Sequence, residues 1–234
     1  MINPPKYEHP GVVDWWLPII YPDHDAPVFW LMQIARSTQG DHRRVIDAAF
    51  CDEVVPLPKT VRAVTETEAT EFVERLVKKG HLGVLEHVSV SCRIVCSRVT
   101  SHQLVRHRIG MSYLQESGRH VGAHTFIRRM HDKETMAVKM ALSRAEATAL
   151  REYERMIKAG TPKELARYVL PQTLATSVIV TGNLRAWRHF LELRLDKAAQ
   201  DEIRYIATQI RDKLGAWCPP ILYGLDKEKH ANEA

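Results

Sequence analysis

Cations and small polar residues gather between His102 and His120, in the run HQLVRHRIGMSYLQESGRH. Arg106, His107 and Arg108 stand side by side, and the run ends through Gln115, Glu116, Ser117, Gly118 and Arg119. Gly118 lets a main chain approach a ligand closely, Ser117 offers a hydroxyl and an N–H, and Arg119 offers a planar fork that matches two phosphate oxygens. These types in this order suit a bound phosphate. A solvated helix face would account for a generic Arg-His-Arg triplet. This one follows a strand directly and leads into a Ser-Gly-Arg segment, which favours a ligand.

Arg194 lies in FLELRLDK, between leucines. On a helix Asn183, Trp187, Phe190 and Arg194 fall in one stripe, because their spacing follows the helical period. A guanidinium beside Trp and Phe is partly desolvated and needs an anion or an acceptor. Glu192 or Asp196 could supply one, and so could a ligand. Arg167 poses the same choice, with Glu164 three residues before it. Arg185 and His189 share another face and by themselves face solvent. Glu86-His87 suits either a catalytic pair or a hydrogen-bonded structural histidine. Cys218, in WCPP, has no sequence neighbour that would lower its thiol pKa, so packing is expected of it rather than nucleophilic attack. Cys92 and Cys96 lack a second ligand pair, so no metal site is expected.

The elements that must position these residues are legible in part. ETEATEFVERLVKKG has the period, early acids and closing Gly80 of a surface helix, with Phe72, Leu76 and Val77 at helical spacing. HVSVSCRIV alternates, with Val88, Val90, Cys92 and Ile94 facing one way and Ser89, Ser91 and Arg93 the other, as in a half-buried strand. SRVTSHQLVRHR continues with helical potential, which would put Gln103, Arg106 and His107 on one face. Residues 134–159 are strongly helix-prone and stop at Gly160. TPKE then offers Thr161 as N-cap, Pro162 in the first turn and Glu164 as the third member of a capping box. LATSVIV is a second strand, and residues 181–215 hold one or two long helices. APVFWLMQIARST can form a helix, and the Pro- and Trp-rich residues 1–30 make an irregular arm or an edge strand. An α+β fold in a single domain over residues 1–234 is expected.

At 234 residues, with 45% hydrophobic and 26% charged content, the chain can bury its own core; disordered, collagen-like and coiled-coil classes drop out. No apolar run approaches the roughly 18–20 residues that span a bilayer, so no membrane partner is expected. The start MINPPKYEHPG lacks a secretory pattern and the four cysteines are scattered, so a cytoplasmic location with reduced thiols is expected. A net charge of +5 points to anionic partners. Nucleic acid is one such class, but Tyr113 alone among the aromatics falls in the basic segment, which is poor provision for base stacking. No nucleic acid is expected.

SHQLVRHR (101–108), SYLQESGR (112–119), ARYVLP (166–171) and NLRAWRHFLELRLDKAAQDEIR (183–204) resemble the flavin-dependent thymidylate synthases, the ThyX family, over roughly residues 80–215. The resemblance implies a central antiparallel sheet flanked by long helices. It also implies reductive methylation of dUMP to dTMP with methylenetetrahydrofolate as carbon donor, FAD as hydride carrier and NADPH as reductant, in a homotetramer with shared sites. Gln103, Arg106, Gln115, Glu116, Ser117, Gly118, Arg119 and Arg167 would hold the nucleotide, and Arg194 would face its pyrimidine as the catalytic residue. Ser89, Arg106, His107, Arg108, Asn183, Arg185 and His189 would meet the flavin. Between Arg108 and Ser117 the spacing is one residue longer than the family's usual pattern, near Gly110-Met111, and His120 stands where the family often has tyrosine. These departures leave open a relative that methylates UMP or a cytosine nucleotide.

Overall fold

The computed structural model describes the backbone of residues 13–19, the helical positions 28, 31, 32 and 35, and residues 65–122, 125–127 and 135–225. The chain is α+β: β1 (Val13–Ile19), α1 (Glu66–Lys78), β2 (Ser89–Ser97), α2 (Arg98–Leu104), β3 (Met111–Gln115), α3 (Met136–Lys158), α4 (Lys163–Ala166), β4 (Ala175–Asn183), α5 (Leu184–Arg194) and α6 (Asp201–Trp217). Short 3-10 turns occupy Leu82–His87, Arg167–Val169 and Pro219–Leu222.

Four strands form one sheet in the order β1-β2-β4-β3. Arg98 N–H donates to the Leu174 carbonyl beyond one end of the β2/β4 pair, and Leu184 N–H donates to the Val88 carbonyl beyond the other, so β2 and β4 run antiparallel. β1 is an edge strand, one of the two forms expected of the N-terminal arm. Apart from β1 and Val28, residues 1–30 lie outside the described residues, as does Cys51.

The chain divides into two compact units, each assembled from three stretches. The first comprises Met1–Trp16, Cys92–Thr181 and Arg194–Gln209; the second comprises Leu17–Ser91, Gly182–Leu193 and Ile210–Ala234. In the first, Ile94, Val95, Leu104, Val178, Val180, Ile203 and Ile206 are buried. A smaller cluster joins Tyr153 to Ala166, Leu150, Met156, Ile157, Leu170 and Leu174. In the second, Val28, Leu31, Met32 and Ala35 are buried at helical spacing. Trp187 and Phe190 are buried as well, packed edge to face with centroids 5.7 Å apart. Burying a side chain of that size is worth about 1.5–3 kcal/mol.

Local rules explain most of the elements. Thr65 caps α1: its hydroxyl accepts the Glu68 N–H while the Glu68 carboxylate accepts the Thr65 N–H, satisfying two orphan donors. The buried stripe of α1 is Ala69, Val73 and Val77, however, with Phe72 and Leu76 half-buried beside it. α3 stops where Gly160 takes φ +84°, a conformation that costs glycine little. β4 forms where a second strand is expected and alternates, with Thr176, Val178 and Val180 inward.

Two expectations need correction. β2 is buried on both faces, since Ser91, Val95 and Ser97 are covered along with Val90, Cys92 and Ile94; β2 lies between β1 and β4, and its second face carries small residues. The capping box at Thr161 does not form. α4 begins one residue later, with Pro162 as N-cap and no side-chain bond there. Of the one or two helices expected in the C-terminal run the structure forms two, because the Asp196 carboxylate accepts the Ala198 N–H and the Arg204 guanidinium binds the Lys197 and Ala199 carbonyls, closing a turn between α5 and α6.

Candidate functional site

The Arg-His-Arg triplet is presented by the joint between β2 and α2. Ser97 ends the strand and caps the helix, its hydroxyl accepting the Thr100 N–H at 3.2 Å. The buried carboxylate of Glu202, in the first turn of α6, accepts both the Ser97 N–H and the Ser97 hydroxyl. α2 then ends at Leu104, so the helical face expected to unite Gln103, Arg106 and His107 does not exist. The triplet sits instead on a turn that must lead the chain into β3, and Gly110 with φ +70° supplies the left-handed residue this reversal requires. Tyr113 of β3 ties the turn down by donating its hydroxyl to the His107 carbonyl at 2.6 Å. Burial, foremost, and the nearby Cys92 push that phenol up to about 12.

β3 hands over to the Ser-Gly-Arg segment under similar control. Gln115 donates its amide to the hydroxyls of Ser101 on α2 and Thr176 on β4, and the Glu116 N–H donates to the Ser177 carbonyl. The Ser117 carbonyl accepts the N–H groups of both His120 and Val121, forming a turn with Gly118 and Arg119 inside it. A Cβ on Gly118 would lie 3.8 Å from Arg167 Cδ and 3.9 Å from Arg167 Nη1. This places the glycine beside the guanidinium expected to share its ligand. Arg167 Nε donates to the Glu164 carbonyl rather than pairing with the Glu164 carboxylate.

Arg194 ends α5 and is half-buried. Neither acid suggested as its partner holds it. Its Nε–H donates to His107 Nε2 at 2.9 Å. Gln103 donates its amide to the Gln200 side-chain oxygen. Arg106, Arg108, Arg119 and Arg167 are exposed, and among the described residues none of these four, nor Arg194, forms an ion pair with a carboxylate. Guanidinium groups stay charged at any physiological pH, so these five make the first unit a strong anion attractor.

The second unit carries the other expected flavin contacts. Ser89 opens β2 and is half-buried. The Asn183 side-chain oxygen accepts the Ala186 N–H at 2.8 Å, capping α5 and leaving the amide N–H groups to point elsewhere. Arg185 pairs with Glu86. His189 Nδ1 lies 3.9 Å from the Glu192 carboxylate. Cys218 is fully buried, and burial pushes its thiol up to about 12, as a packing cysteine requires.

Four positioning residues escaped the sequence reading: Glu202, Tyr113, Gln200 and Lys163, whose ammonium donates to the His120 carbonyl at 2.8 Å. Each acts on a residue far away in the chain or on a main-chain atom, and no local pattern marks such a contact.

The family described as thymidylate synthase complementing protein matches residues 32–220. A flavin-dependent thymidylate synthase of Pyrococcus abyssi is 35% identical over 158 residues, 64% of each chain. One of Geobacter sulfurreducens is 35% identical over 168 residues, 70% of this chain and 72% of its own. One of Thermococcus onnurineus is 38% identical over 149 residues, 61% and 60% respectively. This chain thus spans just under two thirds of the Pyrococcus abyssi protein. With the match running from residue 32 to residue 220, through the basic turn, the Ser-Gly-Arg segment and the helix that ends in Arg194, the chain belongs to the thymidylate synthase complementing protein family.

Proposed function

We propose that this chain methylates C5 of dUMP reductively to give dTMP, taking the carbon from methylenetetrahydrofolate and using FAD and NADPH. The observation that carries this reading is that Arg106, Arg108, Arg119, Arg167 and Arg194 of the first unit have no carboxylate partner among the described residues. A nucleoside monophosphate, a dinucleotide pyrophosphate and a folate are all anions, and bidentate forks suit phosphate and carboxylate oxygens.

The residues present also fit a flavin nucleotide. Arg106, His107 and Arg108 would hold it, and Ser89, Asn183, Arg185 and His189 are the further contacts we assign to it. FAD, when bound, supplies two-electron hydride chemistry that no side chain possesses.

The chain's own groups do the rest. Ser117, Gly118, Arg119 and Arg167 would seat the nucleotide phosphate, where the Gly118 main chain and the Arg167 guanidinium already adjoin. Gln103, Arg106, Gln115 and Glu116 would orient the remainder. Arg194, its Nε–H spent on His107, keeps both terminal nitrogens for the pyrimidine. A cation there stabilises the negative charge that grows on the ring as N3 gives up its proton, and so raises the reactivity of C5. No thiol is needed for this route, in keeping with the burial of Cys92, Cys96 and Cys218. We further propose a cytoplasmic homotetramer.

Purified protein should absorb visible light as a flavoprotein and form dTMP from dUMP only when methylenetetrahydrofolate and NADPH are both supplied. Offering dUMP, UMP, dCMP and CMP side by side tests the base and the sugar together. Protein that stays colourless after incubation with FAD, or that methylates none of the four, defeats the reading.

A further inference from the structure

We propose that His107 is the positioning residue for Arg194, its neutral imidazole accepting the Arg194 Nε–H and so fixing the plane in which the guanidinium is presented. The geometry is direct: Arg194 Nε and His107 Nε2 are 2.9 Å apart. Arginine is always a donor, so Nε2 must carry the lone pair, and the ring proton must sit on Nδ1. One bond at Nε restrains rotation about the last single bonds of the side chain. The two terminal nitrogens are thereby left as a fork of known orientation. A protonated imidazole has no acceptor and would bring two cations together, so only the neutral ring can serve.

The main chain that carries the ring is held. Tyr113 of β3 donates to the His107 carbonyl, and Tyr113 also lies 3.2 Å from Met111 Sδ, so the main chain under the imidazole is pinned from the adjoining strand. Beside His107 stand Arg194 from α5, the Tyr113 phenol from β3, and Arg106 and Arg108 on its own turn. Arg194 finds its acceptor in a residue 87 positions away rather than in a neighbouring acid. A carboxylate would neutralise the guanidinium that the substrate needs. An imidazole orients it and leaves the positive charge intact.

The catalytic consequence rests on the function proposed above; the tautomer and the contact do not. The first arm of the test is therefore independent of turnover. In full-length protein labelled with 15N at histidine, His107 is assigned by its loss in His107→Gln. It should show a pyridine-type Nε2 and a protonated Nδ1, and the Nε2 resonance should move in Arg194→Ala. A proton on Nε2, or a spectrum indifferent to Arg194→Ala, overturns the proposal whatever the enzyme does.

The second arm compares variants at equal flavin occupancy and saturating dUMP. His107→Leu should lower kcat by about 10- to 100-fold through misplacement of the guanidinium. His107→Gln, whose side-chain oxygen can accept the same N–H, should recover about tenfold of that loss. His107→Leu combined with Arg194→Ala should be no slower than Arg194→Ala alone, because two residues acting as one unit are not additive. Additive losses, or no recovery by glutamine, overturn the proposal. Absence of dTMP synthesis in the unaltered protein defeats the functional reading alone, and the resonance arm still decides the positioning role.

Discussion

The carboxylate of Glu202 accepts the main-chain N–H of Ser97 at 2.7 Å and the Ser97 hydroxyl at 2.6 Å, locking the joint from which the basic turn departs. Glu202 is nearly fully buried, so removing it leaves the Ser97 N–H without an acceptor and the hydroxyl with only the Thr100 oxygen, at 3.4 Å. Each unmatched buried group costs about 1–3 kcal/mol. Glu202→Ala should lower stability by at least one such loss, and Glu202→Gln, which keeps one acceptor, by clearly less. Urea denaturation of the three proteins tests the ranking. Equal midpoints would mean that the clamp is not an energetic feature.

That clamp joins residues 105 positions apart, which explains why it was invisible in the sequence. What was legible depended on local rules: the stop at Gly160, the apolar run that makes β4, and the acids that open α1. What was not legible depended on the rest of the chain. Helical propensity alone would carry α2 through Arg106 and His107, but the chain has to reverse into β3 and the helix gives way. Likewise Glu192 and Asp196 looked like partners for Arg194 by proximity. In the folded chain Glu192 lies near His189, Asp196 caps Ala198, and the guanidinium turns to His107. The candidate residues stand out by type and resemblance, and their mutual contacts only by folding.

Gly118 offers a test of phosphate seating that leaves the fold alone. Its φ is not left-handed, and a methyl there would make only ordinary contacts with Arg167 at 3.8 and 3.9 Å. Gly118→Ala should therefore melt within a degree or two of the unaltered protein. It should nonetheless weaken dUMP binding by about tenfold, an increment of roughly 1.4 kcal/mol, by filling the space beside the guanidinium. Calorimetric titration with dUMP and with uncharged deoxyuridine separates the effects: only the phosphate-bearing ligand should lose affinity. Equal loss for both would place the phosphate elsewhere.

Tyr113 has a hydroxyl whose protein role is to hold the His107 carbonyl. Tyr113→Phe keeps the ring and removes that bond, at a net cost of about 1 kcal/mol in stability. A loosened turn should also present Arg106 and Arg108 less well, so flavin retention on gel filtration should fall along with turnover. Full retention of flavin and rate would show that the turn keeps its shape without the phenol.

Cys218 gives a prediction about pH whose sign is set by burial. Its thiol is pushed from 9.0 to about 12, so the native state resists ionisation that the unfolded chain accepts. Below pH 9 both states keep the proton and the group contributes nothing to the pH dependence. As pH rises from 9 towards 12 the unfolded thiol ionises while the native one does not, and stability falls by about 1.4 kcal/mol per pH unit from this group. Cys218→Ala removes that slope and leaves a loss of packing that does not vary with pH. Cys96, also held well above its usual range by burial and then by Glu202, is present in both proteins and cancels in the difference. Urea unfolding at pH 8 and pH 10.5 should therefore show the unaltered protein losing more stability than Cys218→Ala between the two conditions. The variant should also keep its flavin and its turnover at pH 8, since the thiol lies buried among apolar groups. Parallel pH profiles would mean that the thiol ionises as readily inside the fold as outside it, and loss of turnover in a stable variant would return Cys218 to the list of reacting groups.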